Sequence, residues 1–318
     1  MSSKAQSKEK FKSKIGGQAV IEGVMMRGIH KAAMACRLPD GTIDLEEWAI
    51  KGGKDTPWYR KTPFVRGIFS FLTSLIDGYK CLTRSAEKQM TEDDEEEQTK
   101  FEQWLDDKLG DKLGPIITAI SMVLGVGLAI LLFMYLPSLV SKFISKFIDL
   151  SAFGKNLIEG ILKIAIFIGY TALTALTKDI RRTYEYHGAE HKTIACFEAG
   201  LERTVENVKK QVRFHPRCGT SFIFITLIIS ILVMCLVPFT VVWQRVLSSV
   251  ILLPLMVGIS YELIRIAGRY ENIFTKILSA PGLYIQRLTT KEPDDKEIEC
   301  AIAAIKPCIP DNLEEDKW

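Results

Sequence analysis

IITAISMVLGVGLAILLFMYL, Ile116 to Leu136, contains no charged residue and is followed by Pro137. A second charge-free run, Gly219 to Trp243, contains one internal proline, Pro238. The hydrocarbon core of a bilayer is about 30 Å thick and needs roughly 20 apolar residues in a helix, since only a helix satisfies its own backbone there. Both runs are therefore predicted membrane spans. We expect the first to end at Pro137 and the second to tolerate Pro238.

Two further runs are nearly as apolar. Val246 to Ile266 carries charges only in its last turns, where Glu262 and Arg265 are three residues apart and could pair on a helix. Leu157 to Leu176 is interrupted by charges only in its first turns. The predicted fold is mainly α, a polytopic membrane helical bundle of about four transmembrane helices with a small α+β cytoplasmic portion.

The distribution of charge predicts how the chain is oriented. The segment 178–218 is rich in lysine and arginine, whereas 140–156 has three lysines and the turn between the last two spans has only Arg245. Basic loops stay in the cytoplasm, so four spans would place both termini there, in a multi-pass protein of the cell membrane. Seven scattered cysteines favour reduced thiols over a disulfide framework.

The overall charge is nearly balanced, with 41 basic and 38 acidic residues. This argues against nucleic acid as a partner. The expected partner is the lipid bilayer, with other membrane proteins as a further option, and the oligomeric state is left open.

The polar segments also have readable patterns. Residues 138–153 and 63–82 have helical apolar spacing that is typical of interfacial helices, although a soluble core helix explains 63–82 equally well. Pro39-Asp40-Gly41 between alternating runs predicts a β element near residues 15–50. The resulting segments are 1–62 with the β element, the amphipathic helix 63–90, the acidic linker or helix 91–115, the first two spans 116–177, the histidine-rich segment 178–218, the last two spans 219–268, and the tail 269–318 with a short helix.

Three of the four histidines lie in the 178–218 segment. His187 and His191 frame the pattern H-x-x-E-H, which is the zinc-binding pattern of the inverzincin peptidases. On a helix, side chains four residues apart share a face at about 5 to 6 Å, so both imidazoles could bind one zinc ion. Glu190 stays near that face and could act as the general base, with His187 and His191 as ligands to a divalent metal, most simply zinc.

Two more ligands could follow in His215-Pro216-Arg217-Cys218. A cysteine ligand would favour a closed structural site, whereas three protein ligands would leave a catalytic position open. The alternative is that these histidines are ordinary polar residues near the membrane surface. Glu185 and Glu198 are further carboxylates that could support the ligands or simply balance charge.

A glycine-rich stretch lies near the beginning of the chain. Glycines in Ile15 to Gly28 permit tight turns or close backbone approach, and they do not match a phosphate-binding loop. Gln18, Glu22 and Arg27 could project toward the histidine-rich segment. The simpler interpretation is a glycine-interrupted strand that packs on the bundle.

Four motifs give the chain a resemblance to a known family: IGGQAVIEGVMMRG (Ile15–Gly28), YEYHGAEHKTI (Tyr184–Ile194), HPRCGTSF (His215–Phe222) and TTKEPDD (Thr289–Asp295). Together they resemble the YqhQ-type family of bacterial multi-pass membrane proteins, a family described as metal-dependent enzymes without an established reaction. The resemblance covers nearly the whole chain. It implies a multi-pass membrane protein with a metal site at His187, Glu190, His191 and His215, and it implies no substrate.

Three functions follow as alternatives. The first is a metal-dependent hydrolase at the cytoplasmic membrane surface, and the second is a non-catalytic membrane scaffold or assembly factor. The third is a transporter, which is motivated by charges at the ends of the spans, namely Glu159, Lys163, Glu262 and Arg265.

Overall fold

A computed structural model describes residues 11–50, 57–90, 108, 110, 113–239, 241–270 and 272–318. The acidic stretch 91–98 and most of the predicted 91–115 linker lie outside these residues. The chain divides into two compact units. The first consists of the described residues of Met1–Gln89 with Thr171–Ile223 and Tyr261–Trp318, and the second of those of Met90–Tyr170 with Phe224–Ser260.

The first unit contains a four-stranded antiparallel sheet whose order follows the chain. Its strands are β1 (Gly16–Val20), β2 (Gly23–Arg27), β3 (Lys31–Arg37) and β4 (Ile43–Ala49). The predicted Pro-Asp-Gly turn joins β3 to β4, and Gly41 has a φ of 88°, a conformation that glycine adopts without strain. The small β element is therefore confirmed.

Helices make up most of the remaining described chain. In chain order they are α1 (Val65–Glu87), α2 (Leu113–Ile130), α3 (Leu136–Ile144), α4 (Ala152–Thr174), α5 (Lys178–Glu198), α6 (Val205–Lys209), α7 (Gly219–Cys235), α8 (Val242–Arg269), α9 (Ile273–Thr289) and α10 (Asp295–Ile305). The predicted tail helix is α10, and Asp294 and Glu297 cap it with reciprocal hydrogen bonds.

The core of the first unit lies between the sheet and two helices. Strand β2 presents the fully buried Met26, and α5 contributes Tyr186 and Ile194 to the same cluster. Helix α10 adds Ile298 and Ala301, both without solvent exposure. This packing fixes α5 against the sheet, and α5 carries the H-x-x-E-H motif.

Within the described residues, three helices are long and apolar enough to span a membrane: Ile116–Ile144, Phe153–Thr174 and Trp243–Arg269. These correspond to the first, second and fourth predicted spans. The third prediction was too long, because α7 ends at Cys235 after 17 residues. Pro238 lacks a backbone N–H and disfavours helical geometry at Val237, so the helix stops before it.

The predicted end of the first span at Pro137 was also wrong. The helix continues through a π-helical turn, Leu131–Tyr135, into α3, where Pro137 occupies the first turn. Proline fits there because the first turn of a helix does not use its N–H. The separate interfacial helix predicted over 138–153 was therefore wrong: 138–144 is the end of this long helix, 145–147 form a turn, and 152–153 begin α4.

The charges at the ends of the spans have specific partners. Glu262 of α8 accepts two hydrogen bonds from Arg66 of α1, and the bond from Nε is 2.7 Å long. The sequence predicted Arg265 as the partner of Glu262, but these hydrogen bonds come from Arg66. In the second unit, Arg245 of α8 donates to Glu159 of α4 at 2.6 Å, and both side chains are buried. Asn156 accepts from the same guanidinium and donates to the carbonyl of Met234 in α7.

Candidate metal centre

Helix α5 presents two histidines one turn apart on the same face. The ring centroids of His187 and His191 are 4.4 Å apart, as the four-residue spacing predicts. The Sγ atom of Cys218, just before α7, lies 3.2 Å from Nε2 of His187. Among the described residues, these three form a group whose ligand atoms all lie within 4.8 Å of one another.

Backbone carbonyls orient both imidazoles. Nδ1 of His187 is 2.8 Å from the carbonyl oxygen of Thr289, and Nδ1 of His191 is 2.6 Å from that of Arg213. A carbonyl can only accept, so each Nδ1 must carry the proton. This leaves Nε2 of each ring as the atom that can bind a metal once it carries no proton, which is the arrangement that metal-binding histidines have in known proteins.

The glycine inside the motif permits this orientation. A Cβ atom at Gly188 would overlap the carbonyl oxygen of Lys291. The backbone N–H of Lys291 in turn donates to the carbonyl of Tyr184 in α5 at 2.8 Å. The TTKEPDD segment can thus cross α5 at Gly188 and bring the Thr289 carbonyl to His187.

The charges of the group favour a thiolate. Burial alone would raise the pKa of Cys218, but His187 and His191 outweigh it and hold that pKa well below its usual value. Burial would lower the pKa of His187, and the Cys218 sulfur reverses this and raises it to about 9. The Thr220 hydroxyl also lies 3.3 Å from the sulfur. Thiolate is the form of cysteine that binds metals.

The donor set fits zinc. A zinc ion would displace the Nε2 proton of His187, and two neutral imidazoles with one thiolate are common zinc ligands. Tetrahedral geometry with ordinary bond lengths separates a nitrogen and a sulfur ligand by about 3.5 Å. The observed 3.2 Å between His187 and Cys218 is close to that separation. Three protein ligands would leave a fourth position for water or substrate.

Glu190 lies beside the group, 4% exposed, with its Oε2 buried and without a hydrogen-bond partner. The backbone N–H of Gly17 donates to its carboxylate, and a Cβ atom at residue 17 would come within 3.2 Å of the Glu190 Cδ. Burial raises the pKa of Glu190 against the opposing effect of the two histidines. A buried acceptor without a partner costs free energy, so this oxygen is suited to a proton donor at the centre.

The structure does not bring His215 into the ligand group. Its ring centroid is 5.5 Å from that of His191, but its Nε2 accepts a hydrogen bond from Arg217 at 3.0 Å. Burial, together with Arg217, keeps the pKa of His215 well below its usual value. Arg217 is in turn paired with Glu198, one of the two carboxylates that the sequence suggested as supports. The other, Glu185, pairs with Arg181.

The glycine-rich motif forms β1, β2 and the turn between them. Glu22 in that turn accepts from Arg182 and lies 3.2 Å from the hydroxyl of Tyr186, both on α5. Gln18 and Arg27 instead contact α1, at the Gly78 carbonyl and Asp77. Of the three polar residues expected to face the histidine-rich segment, Glu22 does so.

Comparisons with known proteins identify the family of this chain. A family model described as a protein of unknown function, DUF1385, matches residues 62–311. The chain belongs to the DUF1385 family. Its relatives include the uncharacterized protein YqhQ of Bacillus subtilis (strain 168), which is 37% identical over 304 residues, covering 95% of this chain and 94% of the relative. No solved structure matches the chain.

The sequence did not reveal every residue that supports the centre of this DUF1385 protein. Gln286 of α9 is fully buried, accepts from the backbone N–H of His215 at 2.8 Å and donates to its carbonyl at 2.7 Å. It also donates to Ser221 at 2.9 Å, and so holds the segment that carries Cys218 on both sides. A single glutamine in an amphipathic helix gives no sequence signal for this role.

Proposed function

We propose that this DUF1385 protein is a membrane-bound, metal-dependent hydrolase, with zinc held by His187, His191 and Cys218. One observation carries the proposal. Three ligand atoms lie within 4.8 Å of one another, and the buried, unpartnered Oε2 of Glu190 lies beside them. When bound, zinc would lower the pKa of water and polarise a carbonyl or phosphoryl oxygen of the substrate.

Other residues of the chain orient the ligands and transfer the proton. The carbonyls of Thr289 and Arg213 hold His187 and His191 with their Nε2 lone pairs toward the centre. Glu190 takes the proton of the attacking water and passes it to the leaving group, and burial, which raises its pKa, favours its holding the proton between the two steps. Low exposure keeps bulk water from competing for these groups.

The centre is proposed to lie on the cytoplasmic side, with both termini. The positive charge of segment 178–218 supports this side, because basic segments near membrane spans are retained in the cytoplasm. Cys218 directly precedes α7, whose apolar sequence begins at Gly219. A lipid headgroup or a segment of a membrane protein is therefore the proposed substrate.

The test uses the full-length protein in vesicles made from bacterial lipid extract. We expect products that appear only with zinc and that disappear in Glu190→Gln, while this variant retains the zinc content of the wild type. Gln keeps the size of the side chain and can still accept from Gly17. Products formed equally by Glu190→Gln would overturn the role of Glu190, and the absence of any product with lipids and membrane proteins would overturn hydrolysis.

A second candidate is a scaffold or assembly factor in which the metal only stabilises the fold. The burial of two ligands favours it, since His191 is 1% and Cys218 is 8% exposed. Glu190→Gln would then leave any cellular phenotype of the wild type intact, while loss of the ligands would abolish it. Among the described residues, the acidic groups that motivated the transport alternative are paired, since Glu159 and Glu262 each bind an arginine of another helix.

A further inference from the structure

Helix α1 has an inverted polarity. Its outward face is apolar, and its members are between 44% and 55% exposed. They recur at helical spacing along one side of the helix: Leu72, Leu75, Ile76, Tyr79 and Leu82. A helix on the surface of a soluble protein would present charged side chains here.

The inward face of α1 makes most of its polar contacts. Arg66 pairs with Glu262 of α8, and Asp77 pairs with Arg27 of β2. Further along, the Ser85 hydroxyl is buried and accepts from the backbone N–H of Ile21 at 3.1 Å. The buried residues of α1 are the small ones, Gly67, Cys81 and Ser85, and Cys81 packs in an apolar cluster with the sheet. The large apolar side chains of the outward face stay uncovered.

Helix α9 repeats the pattern within the same unit. Ile273, Ile277 and Tyr284 are 75%, 66% and 68% exposed. Its opposite face is buried and largely polar, with Gln286 and Thr289, which support the candidate metal centre, among its members. Two helices of one unit thus turn their apolar sides away from the protein.

Basic and aromatic side chains border the apolar face of α9. Lys276 and Arg287 are exposed on one flank, and the Arg287 guanidinium lies 4.8 Å from the ring centroid of Tyr284. Lysine, arginine and tyrosine are enriched where a protein meets lipid headgroups, since each combines an apolar stem with a polar end. An apolar stripe with a basic border is the pattern of helices that lie in the membrane interface.

We infer that α1 and α9 are monotopic interfacial helices, and that their outward faces are buried in the headgroup region of the bilayer that the spans cross. Both helices are attached to the end of α8, and this favours the bilayer over another protein as the partner of their apolar faces. Helix α9 begins at Ile273, shortly after α8 ends at Arg269, and the Arg66–Glu262 pair holds α1 at the last turns of α8. Both apolar faces are therefore tied to the end of a candidate membrane span.

Photo-crosslinking of the full-length protein in lipid vesicles tests this inference. p-Benzoylphenylalanine replaces Leu75 on α1, Ile277 on α9, or Lys296 on α10, which is exposed and lies away from both faces. The readout is the mass of the product after irradiation. The two test positions belong to different helices, so a folding defect in one variant leaves the other informative, and size-exclusion chromatography monitors folding.

We expect lipid adducts at residues 75 and 277 that are at least several-fold more abundant than at residue 296. Crosslinks between two chains at both positions would show that a second copy covers these faces. Crosslinks within one chain would show that the protein covers them itself, and equal labelling at all three positions would show that the faces lie in water. Each of these three results overturns the inference. None depends on metal binding, so the outcome is separate from that of the proposed hydrolase.

Discussion

Nδ1 of His187 in α5 donates a hydrogen bond of 2.8 Å to the carbonyl of Thr289, which lies 102 residues further along the chain. This bond fixes the protonated nitrogen of a candidate zinc ligand and directs the other nitrogen toward Cys218. It forms because the segment after Thr289 crosses α5 at Gly188. The histidine motif and the TTKEPDD motif are therefore two halves of one site.

Gly188→Ala should weaken zinc binding. The added methyl group would overlap the Lys291 carbonyl, so the segment must move and take the Thr289 carbonyl away from His187. Loss of such an outer contact typically lowers metal affinity about 10- to 100-fold. Competition with a chelator measures the affinity, and Gly169→Ala is the control, because a Cβ atom there meets nothing within 4 Å. Equal affinities in the two variants would contradict this role of Gly188.

Gly17→Ala should destabilise the first unit, and Gly16→Ala should not. A Cβ atom at residue 17 would lie 2.5 Å from the Met25 carbonyl oxygen, whereas one at residue 16 meets nothing within 4 Å. Forcing an atom into a packed position costs about 1–3 kcal/mol. Thermal unfolding in detergent compares the two neighbours. The prediction fails if both variants unfold at the temperature of the wild type.

The sequence predicted those features that depend on local patterns. Apolar run length predicted the three candidate membrane spans, the Pro-Asp-Gly turn predicted the hairpin, and four-residue spacing placed His187 and His191 on one helix face. The effects of Pro137 and Pro238 on their helices were predicted wrongly, because the free-energy cost of a proline depends on its place in the helix. A π-helical turn precedes the first, and the second follows a helix that has already ended.

The support of the site could not be predicted in the same way. The carbonyl acceptors at Thr289 and Arg213 are backbone atoms, which every residue has, and they lie 102 and 22 residues from their histidines. Gln286 acts across 71 residues. Side-chain type carries no information about such contacts until the fold brings the segments together.

Glu297 should lower the stability of the protein as the pH rises from about 4 to about 7. Burial raises the pKa of Glu297 to about 7, against the opposing effects of the hydrogen bond from the Asp294 backbone N–H and of Arg182. An unfolded glutamate titrates near pH 4.3, so between these values the folded state holds a proton that the unfolded state has released. The contribution is complete below the lower pKa and is lost as the pH passes the upper one.

Glu297→Gln should flatten this part of the pH profile, because the amide cannot ionise and can still complete the capping box with Asp294. Melting temperatures across that range, measured for both proteins, give the comparison. Profiles of the same slope would show that Glu297 does not titrate as described.

The Arg245–Glu159 pair should tie the helices of the second unit together. Both side chains are buried, so Arg245→Leu leaves a carboxylate without its counterion at a cost of about 3–5 kcal/mol. The double variant Arg245→Leu, Glu159→Leu should recover much of that loss, since no buried charge remains. Unfolding by a denaturing detergent provides the measurement. A double variant as unstable as the sum of both single variants would contradict the coupling.

Metal content tests the central claim most directly. The chain has four histidines, and His30 is exposed and pairs with Glu315, so His30→Ala is a matched control for the centre. We predict one zinc ion per chain in the wild type and in His30→Ala, and almost none in the double variant His187→Ala, His191→Ala. Equal zinc in all three proteins, whether high or negligible, would contradict a metal centre at His187, His191 and Cys218.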